Sequence, residues 1–134
     1  MIHMTQKGNV LIVTVGDDDI YEEGLEAIQR MNDGEPIDKP TVLSFADEEQ
    51  LAEVFDGHAY RLLRIIREEE PESIRATARL TGRDVKNVHQ ELTKLEALAV
   101  IRFDEEGRSK KPVFPYDDLI IRPFVDERSG PVSA

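Results

Sequence analysis

Residues 80–95 read LTGRDVKNVHQELTKL. A turn at Thr81-Gly82-Arg83 stops one helix, since glycine enters the left-handed backbone region without a Cβ penalty. Asp84 is an N-cap residue by type, and Val85, Val88, Leu92, Leu95 and Ala99 follow it at helical spacing. With Lys86 set to zero and about 100° per residue, these five centre near 220°. Lys86, Gln90, Thr93 and Lys94 face the opposite way, Asn87 stands at their edge and His89 on the flank. A helix is expected over 84–99, with one face for packing and one for a partner.

Working outward, Tyr60, Leu62, Leu63, Ile65 and Ile66 line one face of a helix ending in Glu68–Glu70 and Pro71. Ser73 is a natural N-cap for a shorter helix that turns Ile74, Ala78 and Leu80 inward. Downstream, 100–103 (VIRF) and 112–114 (PVF) read as strands joined by the basic loop DEEGRSKK, which Gly107 lets turn. Helix, helix, Gly-containing turn, helix, strand, basic loop, strand is the order of a winged helix-turn-helix. Residues 117–122 (DDLIIR) add a further strand or helical turn.

Towards the N-terminus, NVLIVTV (9–15) reads as a buried strand. Asp19 with Glu22 fits a capping box for a helix carrying Leu25, Ile28 and Met31, stopped at Asn32-Asp33-Gly34 before Pro36. TVLSF (41–45) is a second strand, and Asp47 with Gln50 opens a helix carrying Leu51, Val54 and Phe55, interrupted at Gly57. The expected fold class is α+β. A short strand-helix-strand extension (1–46) precedes a winged helix-turn-helix domain (47–122) and a flexible tail (123–134).

Composition bounds the function. The 134 residues hold 40% hydrophobic content, enough for one core, and no cysteine, so disulfides and thiolate metal sites are excluded. No apolar run approaches the roughly 18–20 residues that span a membrane, the start lacks the pattern of a signal peptide, and a cytoplasmic location is expected. Asp17-Asp18-Asp19 reads as a cap with favourable helix-dipole charge. No catalytic Ser/His/Asp set, phosphate loop or zinc spacing occurs, so no enzyme, cofactor or metal is expected.

The formal net charge of −11 seems to argue against a nucleic-acid partner. Its distribution argues otherwise. Residues 73–111 carry Arg75, Arg79, Arg83, Lys86, Lys94, Arg102, Arg108, Lys110 and Lys111 against only six acids, a basic island in an acidic chain. A major groove accepts one α-helix, where lysine donates to guanine and asparagine or glutamine pairs with adenine. Lys86, Asn87 and Gln90 in the first turns are therefore the candidates for bases, with Thr93 on the same face. Arg83 and Lys94 are better placed for phosphates, which set position. Arg108, Ser109, Lys110 and Lys111 in the wing (104–112) reach backbone or a neighbouring groove.

Four stretches carry a family likeness: TVLSFADEEQL, YRLLRIIREEEPESI, ATARLTGRDVKNVHQELTKLEALAVI and EEGRSKKPVFPYDDL. Segment 41–122 resembles a group of winged-helix transcriptional regulators of haloarchaea and bacteria, within the broad MarR and ArsR class. The N-terminal strand-helix-strand is similar to that group's extension. The resemblance implies a DNA-binding regulator and, for so acidic a chain, a halophilic archaeon; it names no effector. ArsR-class metal sensors use Cys or His clusters, which this sequence lacks.

The expected partner is double-stranded DNA, bound by a homodimer that sets two recognition helices about one DNA turn apart. The N-terminal strand-helix-strand (1–46) is the candidate dimerisation element, since an exposed strand such as 9–15 has an edge that pairs with a copy of itself. The competing reading is a winged-helix protein-interaction module, a transcription-machinery or antitoxin-like component that binds a basic partner through its acidic surface.

Overall fold

The structure, a computed structural model, describes residues 9–16 and 40–124. The helix expected from Asp19 to Met31 with its glycine stop, the acidic run Asp17–Asp19 and the tail from residue 125 lie outside the described residues. The fold is α+β. Its described elements are β1 (Val10–Val15), β2 (Thr41–Phe45), α1 (Glu48–Val54), α2 (Gly57–Glu69), α3 (Ile74–Thr81), α4 (Val85–Ala97), β3 (Arg102–Glu106), β4 (Ser109–Val113) and β5 (Asp118–Arg122). Two compact units form: residues 1–52 with 116–134, and residues 53–115.

The first unit is built on a parallel sheet of order β2-β1-β5, with Ile12 opposite Val42 on one side and Ile120 on the other. Val10 to Val13 are all buried, which explains their continuous apolar run: the central strand of a parallel sheet is covered on both faces. At the carboxyl end, the Ser44 hydroxyl donates to the Gly16 carbonyl at 2.9 Å and lies 3.3 Å from the Thr14 hydroxyl. Two expectations need correction. Residues 117–122 belong to this N-terminal sheet and not to the helical domain of 47–122, so the second unit is an insertion between β2 and β5. Both edges of β1 are already paired, so strand 9–15 has no free edge with which to join a second copy.

α1 starts as its sequence demands, with Asp47 accepting from Gln50 N at 2.9 Å while Gln50 Oε1 accepts from Ala46 N at 3.3 Å. In the second unit, α3 packs against both α2 and α4, and β4 lies on α2 and α3. The buried set includes Phe55, Ala59, Leu62, Leu63 and Ile66 before and along α2, Thr77 and Ala78 from α3, and Val88, Leu92 and Leu95 from α4, closed by Val100, Ile101 and Pro112. Each helix begins at a capping side chain. Asp56 accepts from Ala59 N and Ser73 from Ala76 N, filling donors that a helix start leaves without partners. Buried Thr77 returns its hydroxyl to the Ser73 carbonyl at 2.8 Å.

The helical phasing overreached at the ends of its stripes. Tyr60, Leu80 and Val85 are exposed, and Ala99 lies beyond the end of α4 with φ +65°. A terminal residue can keep the phase of a stripe yet project past the neighbouring elements that would cover it. The hairpin also differs from expectation. Strands run to Glu106 and resume at Ser109, leaving only Gly107 and Arg108 as the turn. Gly107 has φ +66° at the first turn position, as a two-residue hairpin of the II′ kind requires.

Leu92→Ala, opening the fully buried core between α3 and α4, is expected to lower unfolding stability by about 2–5 kcal/mol. Gly82→Ala meets no atom within 4 Å and pays only for φ +71°, so its loss should be about 1–2 kcal/mol. Denaturant unfolding at fixed molar KCl measures both.

Candidate nucleic-acid interface

The turn between α3 and α4 is fixed by hydrogen bonds at each step. Gly82 takes the left-handed C-cap conformation, and its N–H donates to Arg79 O at 3.2 Å. Arg83 N donates to Ala78 O at 3.2 Å, and the Thr81 hydroxyl donates to that same carbonyl at 2.8 Å. Asp84 then accepts from Lys86 N at 3.0 Å and Asn87 N at 3.2 Å. The backbone of the first turn of α4 is thereby set before any ligand arrives.

On α4, Val88, Leu92 and Leu95 point into the core, which leaves Lys86, Asn87, His89, Gln90, Thr93 and Lys94 exposed together. The structure therefore brings the expected base-reading residues onto one exposed face, with neutral amide donors and acceptors between two lysines. Lys94 stands at the border of that face. It lines a small concavity with Glu53, Asp56 and Glu91.

Arg83 is placed differently from the expectation that it meets phosphate. Its guanidinium forms a two-pronged ion pair with Glu91, Nη1 donating to Oε1 at 3.1 Å and Nη2 to Oε2. The Glu91 hydrogen bond is the main cause that holds the Arg83 pKa above its ordinary value. The pair ties the turn to the middle of α4. Its role in the free protein is to hold the helix start.

The hairpin is less basic than the sequence suggests. Lys110 is opposite Glu105 and Lys111 opposite Asp104 across the ladder, and such cross-strand pairs attract. Lys110 Nζ also lies 5.8 Å from the centre of the Phe103 ring, within cation–π range. Arg102 Nε donates to Asp104 Oδ1 at 2.8 Å. That bond, helped by the charges of Arg102 and Lys111, holds the Asp104 carboxyl below its usual pKa. Ser109, Lys110 and Lys111 thus belong to β4 and not to a loop, and Arg108 alone of the four expected wing contacts occupies the turn.

Arg75 and Arg79 were counted in the basic island but given no contact by sequence reasoning. Both are exposed one helical turn apart on α3, just ahead of the turn. Their i, i+4 spacing on the helix that precedes the polar one was the available signal. Among the described residues, no group of three His, Asp or Glu stands close enough to hold a metal, and no helix is long and apolar enough to cross a membrane.

Residues 54–121, half of the chain, match the model of the family described as HVO_A0114, and the chain belongs to that family. No curated protein and no solved structure matches it.

Arg83→Ala is expected to cost about 1 kcal/mol of stability, as for a partly exposed two-pronged pair, with Arg83→Lys recovering only part because an ammonium cannot hold both oxygens in one plane. Thermal unfolding of the two variants checks this. For Asp104 the lowered folded-state pKa fixes the sign. The Arg102 pair adds stability above the ordinary carboxylate pKa and loses it as pH falls through the depressed value. An NMR titration should find the Asp104 midpoint below that of an ordinary aspartate, and Arg102→Ala should move it upward.

Proposed function

We propose that this member of the HVO_A0114 family is a winged helix-turn-helix regulator that binds double-stranded DNA in a sequence-dependent way. In this reading α3, the Gly82 turn and α4 are the helix-turn-helix, and the β3–β4 hairpin is the wing. The observation that carries it is the exposed face of α4, where Lys86, Asn87, Gln90 and Thr93 stand opposite the buried Val88, Leu92 and Leu95. The hydrogen-bonded turn holds the first of these residues in place without flexible loop support.

A major groove is wide enough for one helix. Lys86 would donate to guanine, while Asn87 and Gln90 would pair with the two edge atoms of adenine. Lys94, Arg108, Ser109, Lys110 and Lys111 would contact backbone, joined by Arg75 and Arg79 on the preceding helix. Arg83 supports the reader from within through Glu91. A homodimer would place two such helices on successive turns of DNA. With β1 enclosed between two strands, strand addition would have to use an edge of β2 or β5.

The surplus of surface carboxylate, formal net charge −11, suits solution at molar salt. Counterion release loses force there, so binding would rest on base contacts and shape more than on phosphate pairing. The short supply of unopposed cations on the hairpin accords with that balance. The same pairing of Lys110 with Glu105 and Lys111 with Asp104 favours a second reading, in which the domain docks on a protein and binds no specific DNA.

Two double variants distinguish these readings, assayed by binding to a genomic DNA pool across a KCl series. Lys86→Ala with Gln90→Ala should abolish preference among sequences, each lost base contact reducing discrimination by roughly tenfold or more. Lys110→Ala with Lys111→Ala should weaken all DNA alike and flatten the salt slope. Binding unchanged by both pairs would support the protein-docking reading instead.

A further inference from the structure

The carboxyl end of the parallel sheet holds a row of polar side chains that the DNA-binding reading does not use. Residues opposite each other in a sheet share one face, and alternate residues along each strand return to it. The register sets Thr14 opposite Ser44 on one side and opposite Arg122 on the other. Two residues earlier, Ile12 stands opposite Val42 and Ile120, and with Val10 these form an apolar cluster. One face of the sheet therefore passes from apolar side chains to the row Ser44, Thr14 and Arg122 at its carboxyl end. The two hydroxyls are satisfied within the sheet. Ser44 donates its proton to Gly16 O at 2.9 Å, so in the 3.3 Å contact between the hydroxyls the donor is Thr14. Arg122 is not satisfied. Its Nη1 is buried and, among the described residues, is the buried side-chain nitrogen or oxygen that has no hydrogen-bond partner.

The strands that carry Thr14 and Arg122 also meet at a reversal of chain order. In the order β2-β1-β5 the chain runs from β1 outward to β2 and then returns past β1 to β5. In open parallel sheets, ligands bind outside the carboxyl ends of the strands at such a reversal. Thr14 and Arg122 are the paired residues at that end of β1 and β5. A charged donor left unpaired away from water is costly, and a guanidinium presents a planar fork that matches carboxylate or phosphate. Asp118, the acid on the same face of β5, stands four residues back at the amino end of the strand, about 13 Å away along it. We infer that Arg122 anchors a small-anion site at the carboxyl ends of β1 and β5, which takes the carboxylate or phosphate group of a small molecule. The site lies within the first unit and does not depend on the DNA-binding reading.

The test titrates the full chain in molar KCl with potassium phosphate and, separately, with potassium butyrate. NMR follows the Arg122 Nε–H signal and the backbone amides of Thr14 and Ser44. At least one anion should give saturating shifts at these residues against the excess of chloride, since a spherical ion cannot engage both prongs of the fork. Saturation by phosphate alone marks a phosphoryl group, by butyrate alone a carboxylate, and by both a site open to either. Arg122→Met should weaken that binding about tenfold or more, and Arg122→Lys should keep part of it, because the charge remains without the fork. Arg64→Gln, at an exposed arginine on α2, should leave the titration unchanged. Thermal unfolding without added anion separates an anchor for a ligand from one half of an internal ion pair. Methionine keeps the apolar stem and drops the charge, so Arg122→Met should unfold no earlier than wild type. Earlier unfolding of Arg122→Met overturns the inference. So does binding that appears only when Asp17, Asp18 and Asp19 are together replaced by asparagine, since the chain's own carboxylates would then occupy Arg122. Shifts that never saturate, or that Arg64→Gln reduces equally, overturn it as well. The DNA-binding reading is untouched by each of these results.

Discussion

The four-residue stretch between Thr81 and Asp84 is the constraint on which the candidate site depends. A helix continuing past Thr81 would carry the polar residues of 86–94 off in the direction of α3 and leave no second helix to pack. Gly82 ends it by entering the left-handed region, and two backbone N–H groups plus the Thr81 hydroxyl take up the last carbonyls. Asp84 restarts the backbone two residues later. The orientation of α4 therefore follows from backbone hydrogen bonding first and from the packing of Val88, Leu92 and Leu95 second. The bonding fixes where the helix begins, and the packing fixes how it is rotated.

The acidic character of the chain acts on two scales. Over the whole molecule it makes the net charge strongly negative. Within the second unit, carboxylates are used locally to hold cations in place: Glu91 on Arg83, Asp104 on Arg102, and Glu105 facing Lys110. Exposed pairs of this kind contribute little to stability singly. Their effect is on availability. A guanidinium already bound through both terminal nitrogens to one carboxylate is a poorer phosphate ligand than its sequence position suggests, so counting basic residues overstates the charge that a partner meets.

Local signals were legible where local physics governs. The caps at Asp47, Ser73 and Asp84, the left-handed Gly82 and the turn glycine at 107 all act within a few residues, and each stands where side-chain chemistry places it. The buried faces of α2 and α4 follow the 3.6-residue period. The strands of the hairpin were underestimated because Asp104, Glu105, Lys110 and Lys111 have low strand propensity. They pair because a tight turn aligns opposite charges across the ladder. Leu80 and Val85 carry the apolar signal of core residues, yet both are exposed among the described residues.

The sequence by itself determined the order of helices and turns in the second unit, the polar face of α4, and the buried character of residues 10–13. Those properties depend on spacing along one chain. Only the tertiary structure decided that β5 returns to lie beside β1, that β1 is enclosed on both edges, and that Arg83 is spent on Glu91. Parallel pairing between strands more than a hundred residues apart leaves no local trace, since any apolar strand can serve as partner until the rest of the chain has folded. The partner of an arginine is likewise settled by which carboxylate the packed helix brings within reach.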